Sequence, residues 1–105
     1  MGLFGLFGSN INKDVEECRA TEGAVLIDVR NEEEYEQGHI PGAINIPLST
    51  IGLVLEKYPK KDIPLFVYCL SGGRSGQAVS YLKQAGYTNV KNIGGIGSYT
   101  GKLVR

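Results

Sequence analysis

The sequence predicts an α/β domain, with a mostly parallel central sheet of about five strands and helices on both faces. Three observations carry that expectation. A chain of 105 residues has enough length for one hydrophobic core and not for two. Short apolar runs rich in β-branched residues alternate along it with segments of helical spacing. Strands separated by helices need crossover connections, which make neighbouring strands parallel.

Residues 1–10 are apolar and glycine-rich and are expected to be poorly ordered, leaving 11–105 as the folded domain. Ile11 reads as part of a first strand, and Lys13 to Ala20 as a short helix behind the cap candidate Asn12. Ala24-Val25-Leu26-Ile27 is a buried strand closed by Asp28. Asn31-Glu32-Glu33-Glu34 opens a helix: Asn31 caps it, Glu34 reaches back, and the acidic turn suits the positive end of the dipole. Gly38 stops that helix. Ala43 to Ile46 is the next strand, ended by Pro47. Ser49 is the cap candidate for a helix whose Ile51, Val54, Leu55 and Tyr58 share one face, and Pro59 ends it. Pro64 leads into Leu65-Phe66-Val67-Tyr68, the most strand-like stretch in the chain. Ala78, Val79, Leu82 and Ala85 then mark a helical face that stops at Gly86. Val90 to Ile93 is the last strand, followed by Gly94-Gly95.

Composition narrows the function. Hydrophobic residues are 42% and charged residues 21%, ordinary values for a globular chain. Lys+Arg and Asp+Glu are both 11, so no basic excess is available to attract nucleic acid or an acidic membrane surface. Any anion must be met by a local device. The 15 glycines are about twice the usual share of ~7%, which points to tight turns and close backbone approaches. Two cysteines, Cys18 and Cys69, are too few for a disulfide scaffold, which favours a reducing compartment. The run Met1 to Gly8 lacks the charged start and length of a secretory signal and is too short to span a membrane. A cytoplasmic monomer is expected.

Ligands in parallel α/β sheets bind beyond the carboxyl ends of the strands. Cys69 lies there, followed by Leu70-Ser71-Gly72-Gly73-Arg74-Ser75 and a helix. Two glycines let successive backbone N–H groups point inward, and the helix adds its free amides and dipole. With Arg74 nearby, this field lowers the pKa of the thiol and makes Cys69 a nucleophile.

Cys69-x-x-Gly72-x-Arg74-Ser75 resembles the active-site loop of the single-domain rhodaneses, a family of sulfurtransferases. Leu26-Ile27-Asp28-Val29-Arg30, Tyr35, the stretch from Gly38-His39-Ile40-Pro41 to Pro47, and Gly94-Gly95-Ile96 are similar to the family's other motifs and stand in its order. The resemblance covers roughly Ile11 to Tyr99, with Tyr99 near where the family often carries Trp. It implies a rhodanese-like three-layer fold and a two-step transfer of sulfane sulfur through a persulfide on Cys69. The donor would be a small anion such as thiosulfate, and the acceptor cyanide, a thiol or a protein. Arg74 would bind the donor's anionic end, and Leu70, Ser71, Gly72, Gly73 and Ser75 would supply loop amides, with hydroxyls from Ser71 and Ser75. No metal or organic cofactor is implied.

Two other readings stay open. Cysteine phosphatases and arsenate reductases place five residues between Cys and Arg, whereas four separate Cys69 from Arg74. The smaller cup suits a smaller group. A non-catalytic interaction module of the same fold typically lacks the Cys, which is present here. Asp28, Arg30 and His39 read as structural braces of the surrounding loops, and a sole His excludes a multi-His metal site. Cys18 reads as a half-buried thiol in the first helix. Glu32, Glu33 and Glu34 fan around a helix and read as a solvated first turn.

Overall fold

The computed structural model describes residues 10–105. The segment 1–9, where most of the amino-terminal expectation falls, lies outside the described residues. The elements are α1 Ile11–Ala20, β1 Val25–Asp28, α2 Glu32–Gln37, β2 Ile44–Asn45, α3 Leu53–Lys57, β3 Leu65–Cys69, α4 Gly73–Gln84 and β4 Val90–Gly95. Short 3-10 turns, Leu48–Thr50 and Ile96–Ser98, precede α3 and follow β4.

Among the described residues the sheet has four strands in the order β2-β1-β3-β4, all parallel, rather than about five. The difference is Ile11, which lies in α1 and not in a strand. Asn10 begins the helix: its Oδ1 accepts the Asn12 N–H at 2.9 Å, so the cap is Asn10 rather than Asn12. Ile11, Val15 and Cys18 then fall on one face and are buried together. Asn12 instead reaches Ser98 and Thr100, tying α1 to the turn after β4.

The third helix also differs from expectation. Ser49 sits inside a 3-10 turn, and α3 begins only after Gly52. Ile51 and Val54 are buried as the spacing required. In α2 the predicted reciprocal cap is present, with the Asn31 N–H on Glu34 Oε1 at 2.9 Å.

Alternation along β3 builds the two faces of the sheet. Leu65, Val67 and Cys69 face a core with Val54, Ala78 and Leu82 from α3 and α4. Phe66 and Tyr68 face the second core, with Ile11, Val15 and Cys18 from α1. The result is three layers. β3 is buried at every position, as expected of a central parallel strand.

The order 2-1-3-4 puts the switch in chain direction between β1 and β3. Asp28 and Cys69 end those two strands, so both lie at the crevice where such sheets bind ligands. One irregularity shapes the same end. Val67 pairs with Asn92 but Tyr68 pairs with Gly94, so Ile93 is an extra residue in β4. The bulge brings Gly95 opposite Cys69.

Candidate active site

Cys69 ends the central strand and is 1% exposed. The chain then turns over its sulfur. Gly72 takes φ +105°, a left-handed conformation that favours glycine, and starts α4. That turn aims the Gly72 N–H at Cys69 Sγ, 3.0 Å away. The Ser75 hydroxyl, in the first turn of α4, lies 3.4 Å from the same sulfur.

Burial pushes the Cys69 thiol up, but the Ser75 hydroxyl and the amides of Ser75, Gly72 and Ser71 outweigh it. The net effect is a thiol held below its ordinary value. Cys18 shows the contrast. It is equally well buried, lacks such a cup, and is pushed up by burial.

Gly95 completes the cup from beneath. Its φ of −119° is ordinary, so its role is proximity. A Cβ there would run into the Leu70 carbonyl and come within 2.6 Å of Ser71 Cα. The Leu70 carbonyl accepts the Gly97 N–H, while the Leu70 side chain is about half exposed. Gly73 opens α4.

The remaining residues singled out in the sequence fall around this cup. Asp28 and Arg30 form a buried pair: Arg30 Nε and Nη2 donate to the carboxylate at 2.7–3.1 Å, and Nη2 also reaches the Gly38 carbonyl. Asn45 Nδ2 donates to both the Asp28 and Arg30 carbonyls, fixing the loop after β1. His39 stacks on Tyr35 with ring centroids 3.7 Å apart. Its Nδ1 lies 2.9 Å from the Tyr35 carbonyl, so that nitrogen carries the proton. Its backbone pairs with Val104.

Arg74 is held differently from a free anion binder. Its Nη1 and Nη2 donate to Glu34 Oε1 and Oε2 at 2.8 and 3.1 Å. The Arg74 guanidinium, by hydrogen bonding, holds the Glu34 carboxyl well below the usual range, at about 2. Glu34 is thus more than part of a solvated acidic turn. Asn92 is a further participant that periodicity did not mark. Its Oδ1 accepts from Ser75 Oγ at 2.7 Å and from the Gly94 N–H, and its Nδ2 donates to the Gly72 carbonyl. An Asn within a strand, at odds with strand preference, was the available signal.

A cleft of about 440 Å³ opens beside the cup, lined among others by Arg30, Glu34, Gln37, Leu70, Ile96 and Leu103. No group of His, Cys, Asp or Glu among the described residues is arranged to hold a metal ion. No helix among them is long and apolar enough to cross a membrane.

Comparison with known proteins agrees with this geometry. The profile of the Rhodanese-like domain matches residues 12–102. Thiosulfate sulfurtransferase PspE of Escherichia coli (strain K12) is 46% identical over 71 residues, 67% of this chain and 68% of that protein. A sulfurtransferase of Allochromatium vinosum is 43% identical over 75 residues, 71% of this chain and 69% of that one. Among solved structures, a rhodanese with anions from E. coli superposes with a TM-score of 0.72 at 41% identity, covering 78% of this chain and 98% of that one. A Staphylococcus saprophyticus protein gives 0.76 at 31% identity, covering 91% and 96%. The chain belongs to the rhodanese-like domain family, among the sulfurtransferases.

Proposed function

We propose that the protein transfers sulfane sulfur from a small anionic donor such as thiosulfate to a thiophilic acceptor, with Cys69 as nucleophile and sulfur carrier. The observation that carries this reading is the Cys69 sulfur, held below its ordinary pKa under the Gly72 amide at 3.0 Å. The thiolate attacks the outer sulfur of thiosulfate. A sulfur–sulfur bond forms on Cys69, the sulfur–sulfonate bond breaks, and sulfite leaves with the electron pair. The persulfide anion then sits where the loop amides of Ser71, Gly72 and Ser75 compensate its charge. Cyanide, a thiol or a protein nucleophile takes the outer sulfur and returns the thiolate.

Arg74 enters as the cation at the rim that meets the donor's anionic end, once its hold on Glu34 is loosened. Asp28, Arg30 and His39 brace the loops that frame the cup. Relatives include a protein named thiosulfate sulfurtransferase, which supports thiosulfate as the first donor to test.

The test is intact-protein mass spectrometry after brief thiosulfate exposure, with wild type beside Cys69→Ser and Cys18→Ser. One added sulfur is expected in wild type and Cys18→Ser, absent in Cys69→Ser, and discharged by cyanide. Sulfur retained by Cys69→Ser would sink the mechanism. A wild type that acquires none refutes thiosulfate as donor.

A further inference from the structure

Glu34 is bound in a way that capping a helix does not require. Its Oε1 accepts the Asn31 N–H at 2.9 Å, so the side chain is fixed by its own helix. The same carboxylate grips Arg74 with both oxygens, joining the first turns of α2 and α4 across 40 residues of sequence. Bidentate pairing of this kind is strong and directional. Arg30, a second guanidinium at this end of the sheet, is already matched by Asp28. Each of these two guanidinium groups is thus matched by a carboxylate, and an anion entering the cup meets loop amides but neither of these two groups uncompensated. The adjoining cleft, about 440 Å³ with Leu70, Ile96 and Leu103 in its wall, is in the size range of sites for small organic ligands.

We propose that Glu34 sets the charge selectivity of the Cys69 cup, disfavouring doubly charged inorganic donors and favouring singly charged donors whose organic substituent lies in the cleft. The substrate class rests on the sulfur-transfer reading above. By compensating Arg74, Glu34 removes about twice as much attraction from a dianion as from a monoanion at the same place. An organic thiosulfonate satisfies both features. The Cys69 thiolate attacks its terminal sulfur, the sulfur–sulfur bond breaks, and the sulfinate leaves with the electron pair, so the persulfide forms as with thiosulfate.

Glu34→Gln isolates the charge, because glutamine at this position still accepts the Asn31 N–H. In a Cys18→Ser background, Cys69 is alkylated by iodoacetate, an anion, and by iodoacetamide, its neutral counterpart. The iodoacetate-to-iodoacetamide rate ratio is expected to rise about fivefold in Glu34→Gln and to fall in Arg74→Ala. In parallel, the thiosulfate KM is expected to fall about fivefold in Glu34→Gln, and the benzenethiosulfonate KM about twofold. Wild type is expected to show the higher kcat/KM with benzenethiosulfonate. An alkylation ratio that stays at the wild-type value in a folded Glu34→Gln protein overturns the charge selectivity. A wild-type preference for thiosulfate overturns the substrate class. The alkylation arm needs no turnover, so loss of sulfur transfer in wild type with the ratio still shifted would fault the function reading and leave the role of Glu34 standing.

Discussion

Replacing Ser75 by alanine removes one of the groups that stabilise the Cys69 thiolate. The hydroxyl lies 3.4 Å from the sulfur, while the Gly72 N–H at 3.0 Å stays. A hydrogen bond to a charged group contributes about 1.5–3 kcal/mol. The Ser75 hydroxyl also faces Asn92 Oδ1 at 2.7 Å and the Gly72 carbonyl at 3.1 Å, so its single proton is shared and the low end applies. About 1.4 kcal/mol corresponds to one pH unit. The sign follows from which form is favoured: the hydroxyl stabilises the anion, so its loss raises the pKa. The midpoint of the pH–alkylation profile of Cys69, measured with iodoacetamide in a Cys18→Ser background, should therefore move up by about one pH unit. Below the wild-type midpoint the rate should fall about tenfold, and well above both midpoints the two rates should converge. Asn92 Oδ1 keeps the Gly94 N–H, so the substitution does not leave that acceptor alone. An unchanged or lowered midpoint would refute the assignment of Ser75 as a thiolate donor.

Tyr68→Phe leaves the buried Ile40 N–H without the Tyr68 oxygen it now meets at 3.1 Å, and should cost about 1–3 kcal/mol in urea denaturation. An unchanged unfolding midpoint would show that Ile40 finds another partner. Asp28→Ala strands the Arg30 guanidinium, whose side chain is 7% exposed, and should cost about 3–5 kcal/mol in the same assay. A loss below about 1 kcal/mol would contradict the reading of that pair as a buried brace. Gly95→Ala places a methyl group against the Leu70 and Ser71 backbone and should slow persulfide formation by at least about tenfold. Wild-type rates in Gly95→Ala, followed by mass spectrometry, would show that the loop can move aside without loss.

The parallel α/β class, the central place of Leu65 to Cys69 and the position of the thiol at a strand's carboxyl end are legible in the residues alone. These rest on local periodicity and on the turn and cap chemistry of residues a few positions apart. The reciprocal cap between Asn31 and Glu34 was legible for that reason. Where two local signals compete, the cap prevails: Ile11 has strand-like character, but Asn10 caps the helix that contains it. Ser49 looked like a cap, but it lies in a 3-10 turn ahead of the helix.

Which groups meet across the crevice is set by the packing of the layers. Glu34 and Arg74 are 40 residues apart, and nothing in either neighbourhood announces the other. Their pairing depends on the order β2-β1-β3-β4, which sets the first turns of α2 and α4 side by side. Asn92 reaches Ser75 and Gly72 because the register of β4 sets it opposite Val67, on the face of the sheet that α4 covers. Register, bulges and strand order are properties of packed layers, set by how two cores close over one sheet. The identity of the nucleophile is therefore local information, while the arrangement of charge around it is a consequence of the fold.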